Sequence, residues 1–199
     1  MRFTTLLLAL CLVLSSTVFA QTRSLSGNFE IQSVTTDVEK GLTFDGGLFY
    51  KVTPQIAGKL FFLTKGPWAE VYAGPVWMPV PWVQLFAGAG ASQKAGELEL
   101  RTAYGLNLFW GQFAFLGAME LNNPAYQGDY KSIWYDLNLT YQPFSWLIVG
   151  LKDRRPVGFG PQIHFKWDVF EVWTTWAPVS SENKTTDLAR FIIALKFNL

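Results

Sequence analysis

The chain has 199 residues, of which 50% are hydrophobic, 17% aromatic and 16% charged. This aromatic content excludes an intrinsically disordered chain, and 16 basic against 15 acidic residues leave no excess of positive charge for binding nucleic acid. One cysteine cannot form an intramolecular disulfide, and one histidine excludes a histidine-rich metal site within the chain. The sequence therefore predicts a single domain without a cofactor or a metal.

Residues 1–20 have the three parts of a secretory signal peptide. Arg2 supplies a short positive start, residues 6–14 form an apolar core, and Val18-Phe19-Ala20 is a small-residue cleavage site. The alternative, a membrane-spanning helix, needs about 20 apolar residues, and this apolar run is shorter. Removal of residues 1–20 takes away Arg2 and the one cysteine, Cys11, and leaves residues 21–199 with 15 basic and 15 acidic residues.

From residue 21 onwards the dominant hydrophobic period is two, which is the period of a β-strand. The last segment is the clearest example, because its large apolar residues alternate over nine positions: Phe191, Ile193, Leu195, Phe197 and Leu199. The same pattern predicts about twelve strands, near 27–35, 41–51, 55–64, 68–78, 82–91, 97–109, 112–121, 131–141, 144–152, 157–166, 169–177 and 188–199.

Short and longer connections alternate between these strands. Tight turns are predicted near 53–54, 79–81, 110–111, 142–143 and 167–168, and the connections between them are generally longer. Strands of about ten residues with short turns at one end and longer loops at the other are typical of a transmembrane β-barrel. Backbone groups in hydrocarbon must all be hydrogen-bonded, so a sheet that spans a membrane has to close on itself.

We therefore predict an all-β fold, an antiparallel up-and-down transmembrane β-barrel of about 12 strands, with 10 or 14 as alternative counts. A soluble β-sandwich or lipocalin-like barrel would use the same alternation with its apolar face inward. Three features disfavour it: the high strand count, the many charges on the less apolar face, and aromatic residues near the strand ends. Those aromatic residues are Trp77, Trp82, Trp110, Tyr141, Trp167 and Trp176.

With Val18-Phe19-Ala20 at the signal and the alternating strand 188–199 at the C-terminus, the chain resembles the outer-membrane β-barrel proteins of Gram-negative bacteria, in their small porin-like form. The resemblance implies an outer-membrane location with contact to lipid and lipopolysaccharide. It also implies that strand 188–199 is recognised by the barrel-insertion machinery. In that class the final residue is usually aromatic, whereas here it is Leu199, with Phe197 two positions earlier. The specific family and the oligomeric state stay open.

If the apolar face of each strand points outward to lipid, charged residues of both signs lie on the opposite face, which lines the lumen. The predicted lumen-lining residues are Glu70, Arg101, Glu120, Asp136, Lys152, His164, Glu171 and Arg190, of which the first five form a layer near mid-membrane. Large side chains are also predicted to point inward, among them Phe61, Phe86, Trp134, Trp146 and Trp173. A twelve-stranded barrel lies between a filled interior and an open aqueous channel, so we expect a narrow or partly plugged lumen.

The predicted function is passive passage of small solutes or ions through this polar lumen. The first alternative is a non-conducting barrel, in which the charges pair across strands and fill the interior. A less favoured alternative is an enzyme that modifies lipid or lipopolysaccharide, which would need a serine with a histidine base. The chain offers His164 alone, on the lumen face near the tight-turn end, and it has no Gly-x-Ser-x-Gly motif. We therefore assign no catalytic residue.

Overall fold

A computed structural model describes residues 25–36, 40–94, 96–180, 188 and 190–199, so the predicted signal peptide, 1–20, lies outside the described residues. The described chain forms twelve β-strands, β1(Leu25–Thr35), β2(Lys40–Lys51), β3(Ile56–Lys65), β4(Trp68–Trp77), β5(Val83–Lys94), β6(Glu97–Trp110), β7(Phe113–Leu121), β8(Trp134–Phe144), β9(Leu147–Arg154), β10(Gly158–Trp167), β11(Phe170–Trp176) and β12(Phe191–Asn198). A short helix, α1(Asn123–Tyr126), and a 3-10 turn at Tyr130–Ser132 lie between β7 and β8. Across these residues, no helix is long and apolar enough to cross a membrane.

The strands form one closed antiparallel barrel. Each strand pairs with the next along the chain, and β1 pairs with β12 to close the sheet, for example at Phe29 opposite Phe197. The predicted fold class is therefore confirmed, and all twelve predicted strands are present with their ends shifted by three residues or fewer. The predicted last strand, 188–199, is one of those shifted, because it begins at Phe191.

The tight turns lie at the same end of the barrel as Leu25 and Leu199, and we call this the terminus end. Its connections are residues 52–55, 78–82, 111–112, 145–146 and 168–169. The turn predicted at 142–143 is wrong, since β8 continues to Phe144 and the chain reverses at 145–146. Pro143 has no N–H for the sheet ladder, and the register of β8 against β9 is irregular between Tyr141 and Phe144. The proline is thus accommodated as an irregularity near the strand end.

The opposite end, which we call the loop end, has both the predicted longer connections and two that are as short as the tight turns. Residues 122–133 connect β7 to β8 and residues 177–190 connect β11 to β12, whereas β3 joins β4 through residues 66–67 and β5 joins β6 through residues 95–96. Gly66 and Gly96 have φ values of +55° and +95°. Glycine adopts this conformation without a steric penalty, which permits a reversal in two residues.

Side-chain parity separates an apolar outer face from a polar inner face. Leu139 and Ile193 are 52% and 57% exposed on the outside, whereas the inward Glu120 is 4% exposed. The exposed tryptophans concentrate at the terminus end, where Trp110 is 84% exposed. Trp146 belongs to this outer set, because it is half-exposed and stacks on the Phe144 and Phe165 rings at 5.5 and 6.3 Å. The prediction that Trp146 points into the lumen is therefore wrong.

Candidate functional site

The barrel encloses a cavity of about 630 Å³ that opens at the terminus end. Its wall begins at Ser26, Asn28 and Asn198 beside the chain ends and reaches inward as far as Gln32 and Arg154. Seven amide side chains lie on its wall, namely Asn28, Gln32, Gln84, Asn107, Asn138, Gln162 and Asn198. Amides both donate and accept hydrogen bonds, so the wall can take up water or a polar solute without a net charge.

Aromatic rings narrow this cavity on one side. The Phe61 and Tyr72 rings stack with centroids 4.8 Å apart, and Phe86 follows Tyr72 at 5.8 Å. A side chain at Gly88 would collide with the Phe86 ring, and one at Gly105 would press against its Cβ, so both glycines make room for this residue. The ammonium of Lys59 lies 4.9 Å from the centre of the Phe86 ring, within the range of a cation–π contact.

His164 lies on the cavity wall in β10, and side chains of its own and the next strand occupy both ring nitrogens. Nδ1 is 2.6 Å from Glu171 Oε1, and Nε2 is 3.2 Å from Gln162 Oε1. The ring also stacks on Trp173, with centroids 5.7 Å apart. Its neighbours are thus a carboxylate, an amide and an indole, and none of them is a hydroxyl nucleophile of the kind an acyl hydrolase needs.

Asp136 on β8 is the centre of the first of two charge clusters. Lys152 donates to both of its oxygens at 2.6 and 2.9 Å, and Arg154 Nε lies 3.3 Å from Oδ2. Asn138 donates to Oδ1 at 2.8 Å and also accepts from Lys152 at 2.9 Å. Two cations and an amide thus surround one carboxylate, which compensates the cost of burying it.

The hydrogen bonds of the Asp136 cluster continue to side chains on β1 and β2. The amide nitrogen of Gln32 donates to Glu30 Oε1 at 2.5 Å and to Asp45 Oδ2 at 2.7 Å. Its carbonyl oxygen accepts a hydrogen bond from Arg154 on β9, which is four places away from β1 in the strand order of the barrel. Trp173 on β11 donates its indole N–H to the other oxygen of Glu30 at 2.8 Å.

Arg101 on β6 is the centre of the second charge cluster. Its Nε lies 3.0 Å from Glu70 Oε2 and donates to Ser92 Oγ at 2.8 Å, and its Nη1 lies 3.4 Å from Glu120 Oε2. Its guanidinium is 5.3 Å from the centre of the Trp68 ring. The two carboxylates are almost completely buried, with side-chain exposures of 0% and 5%. One arginine therefore contacts two buried carboxyl groups.

An apolar cluster fills the inside of the barrel towards the loop end, on the β10–β1 side. It consists of Val34, Val157, Trp173, Ala177, Ile192 and Ala194, each at most 5% exposed. Residues 177–180 fold back against β10, where Val179 and Phe159 form a β-bridge. Arg190 is fully buried here and donates to the carbonyl of Val157 at 2.8 Å.

The eight sequence-predicted lumen residues thus occupy three places. Asp136, Lys152, His164 and Glu171 border the cavity, Glu70, Arg101 and Glu120 form the buried Arg101 cluster, and Arg190 lies beside the apolar cluster. The predicted mid-membrane layer is divided between the two charge clusters. Sequence reasoning did not single out Arg154 or Gln32. Arg154 has the same parity as Lys152, but the predicted strand ended at residue 152, two positions too early.

Among the residues that the structure describes, no three or more His, Cys, Asp or Glu side chains are grouped so that they could hold a metal ion. The arrangement therefore consists of two clusters of charged side chains, of which the Asp136 cluster borders the cavity.

No protein-family model and no curated protein sequence matches the chain. Solved structures do match. "KdgM porin" is 10% identical, covers 86% of this chain and 98% of its own, and has a TM-score of 0.53. "KdgM porin in complex with disordered oligogalacturonate" is 11% identical with the same coverage and a TM-score of 0.54. A structure from "Unveiling the Mechanism Behind the in-meso Crystallization of Membrane Proteins" is 11% identical, covers 87% and 83% of the two chains, and has a TM-score of 0.54. The chain therefore shares the barrel fold of these structures.

Proposed function

We propose that the protein is a narrow outer-membrane channel that lets small solutes or ions pass passively. The cavity of about 630 Å³ inside a closed barrel, whose wall carries charged and amide side chains among apolar ones, is the observation that carries this proposal. A barrel that served only as a rigid wall would have no need of a water-accessible space lined by amides. The fold shared with the porin structures supports the same reading.

The charge balance of the lumen indicates what such a channel would pass. Among the described residues that border the cavity, are buried or belong to the Arg101 cluster, the acidic ones are Glu30, Asp45, Glu70, Glu120, Asp136 and Glu171, and the basic ones are Lys59, Arg101, Lys152, Arg154, Arg190 and Lys196. Equal numbers of both signs give no strong field along the path, and a charge ring of one sign is what selects ions by charge. We therefore do not transfer to this chain the acidic oligogalacturonate named for one KdgM porin structure, and we propose weak charge selectivity.

We further propose the orientation and the route of export. Short turns of such barrels lie on the periplasmic side, so the cavity would open to the periplasm. Residues 1–20 would direct export and be removed, the exposed apolar face would contact lipid and lipopolysaccharide, and the C-terminal strand would be recognised by the barrel-insertion machinery. N-terminal sequencing of the protein recovered from outer membranes tests the cleavage site, with Gln21 as the expected first residue.

Planar-bilayer recording of the refolded protein tests the channel. We expect discrete conductance steps at neutral pH with a reversal potential near zero in a KCl gradient, since the lumen is charge-balanced. A preparation of the same protein that has been unfolded and not refolded is the control for leaks caused by detergent. A flat trace from verified folded protein contradicts the proposal.

The second candidate is a non-conducting barrel of the cell envelope. One observation favours it, namely that the Arg101 cluster and the apolar cluster both occupy the interior towards the loop end. The same recordings discriminate the two functions, because a filled interior predicts no steps at any voltage. A liposome-swelling assay with sugars of increasing size gives an independent measure of the same property.

A further inference from the structure

One side chain crosses the lumen in the midst of these charges. Arg154 is the last residue of β9, and its guanidinium reaches Gln32 on β1, which is four places away in the strand order of the barrel. On the way it contacts Asp136 Oδ2 at 3.3 Å and lies 5.4 Å from the centre of the Trp134 ring. Its side chain is 11% exposed, so these contacts hold it inside the barrel.

The acceptor at the far side has a fixed orientation. Both carboxylates that contact Gln32, those of Glu30 and Asp45, require a donor and therefore take its amide nitrogen. The carbonyl oxygen must then point the other way, towards Arg154. The opposite amide orientation would place an oxygen against two carboxylates and the NH₂ group against a guanidinium, which is unfavourable on both sides.

These contacts close into a ring. Arg154 is joined to Asp136, Asp136 to Lys152, and the Lys152 ammonium lies 5.1 Å from the centre of the Trp173 ring. Trp173 donates to Glu30, and Glu30 accepts from Gln32, which returns to Arg154. A fork-shaped guanidinium is suited to this bridge because it donates in several directions from one plane.

The bridge lies at the inner limit of the cavity. Gln32 and Arg154 border the cavity, whereas Val157, Ala177 and Ile192 of the apolar cluster do not. A solute that enters from the terminus end therefore meets the Arg154 bridge before it can reach the loop end. Beyond the bridge, the apolar cluster occupies the interior on the β10–β1 side, and the Arg101 cluster occupies it on the β4–β7 side.

We propose that Arg154 is the residue that sets the width and the charge selectivity of the lumen, by bridging β9 to Gln32 on β1. This inference rests on the proposed channel function. Removal of the side chain widens the passage and leaves the carboxylates of Asp136, Glu30 and Asp45 with one cation fewer. The two effects are separable, because lysine at 154 would keep the charge but lose the planar fork that holds both ends of the bridge.

The test compares single-channel conductance and reversal potential for the wild-type protein and for Arg154→Ala, Arg154→Lys, Gln32→Ala and Arg155→Ala. Arg155→Ala is the matched control, since it removes the same charge one residue away. Arg155 bonds instead to the carbonyls of Tyr130 and Ile133 in the β7–β8 connection. Heat-modifiable gel migration and far-UV circular dichroism verify that each variant is folded.

We expect Arg154→Ala to raise conductance about two-fold or more and to shift the reversal potential towards cation preference. Gln32→Ala should raise conductance as well, and Arg154→Lys should raise it without the shift in selectivity. Arg155→Ala should match the wild type. A silent wild type with a conducting Arg154→Ala variant also supports the inference.

Two outcomes overturn it, and they are distinguishable from each other. If the wild type conducts and Arg154→Ala does not differ from it, the inference is wrong while the channel function stands. If the wild type and all four variants are silent, both the inference and the proposed function are wrong.

Discussion

Replacement of Arg101 by alanine should strongly destabilise the barrel, because Arg101 lies within ion-pair distance of two buried carboxyl groups. Arg101 Nε lies 3.0 Å from Glu70 Oε2, and Nη1 lies 3.4 Å from Glu120 Oε2. Neither carboxylate side chain is more than 5% exposed. Water therefore cannot take over the solvation that the guanidinium now supplies.

The size of the effect follows from these distances. At an effective dielectric constant of about 20, unit charges about 3.0–3.4 Å apart attract each other by roughly 5 kcal/mol. Desolvation offsets much of this attraction, and breaking a buried pair by removal of one partner costs about 3–5 kcal/mol. Because the two buried carboxyl groups lose this partner, we expect Arg101→Ala to lower the free energy of unfolding by about 3–5 kcal/mol.

The measurement is reversible unfolding in guanidinium chloride with the protein in detergent micelles or vesicles, followed by tryptophan fluorescence. The triple variant Arg101→Met, Glu70→Gln, Glu120→Gln is the informative companion. It removes all three charges and should recover most of the loss, since a neutral interior of similar volume needs no counter-ion. The reasoning is refuted if Arg101→Ala costs less than about 1 kcal/mol, or if the triple variant is no more stable than the single one.

Two further predictions concern local contacts. Trp173→Phe should lower the free energy of unfolding by about 1.5–3 kcal/mol, because it removes a buried hydrogen bond to the Glu30 carboxylate. Trp176→Phe, which removes a bond to the Leu188 carbonyl from a 40% exposed ring, should cost less than about 1 kcal/mol; equal costs in the same denaturation assay would contradict the assignment. Gly90→Ala should cost about 1–3 kcal/mol or prevent refolding, because its Cβ would meet the Val71 carbonyl and the Tyr72 backbone. Gly58→Ala is the control, with open space at its Cβ, and refolding yields on a gel that are the same for both variants would disprove the steric argument.

The barrel could be predicted from the sequence because its two faces differ along the whole chain. In β12, Ile193 and Leu195 alternate with Ala194 and Lys196, and the structure places the first pair outward and the second inward. A hydrophobic period of two shows which residues share one face of a strand, and the requirement for a closed sheet in a membrane then selects a barrel. Twelve strands, their order and most tight turns follow from this pattern.

The errors in prediction arose where local backbone chemistry competes with the pattern. Pro143 predicts a turn in the sequence, but in the structure it lies within β8, where the pairing with β9 is irregular, and the chain turns at 145–146. Gly66 and Gly96 permit two-residue reversals at an end where longer loops were predicted. The prediction also ended the ninth strand at residue 152 and therefore did not place Arg154 in the lumen. In the structure β9 extends to Arg154, whose side chain lies on the same inward face as that of Lys152.

The sequence by itself determined the strands, their alternation and the fact that charges of both signs face inward. Parity is a local property, set by each residue's neighbours along one strand. The tertiary structure alone decided how those charges meet. Arg154 and Gln32 are 122 positions apart, and Trp173 and Glu30 are 143 apart. Such contacts depend on the stagger between strands and on barrel closure, which set the position of each side chain along the barrel axis. Neither property produces a periodic pattern in the sequence.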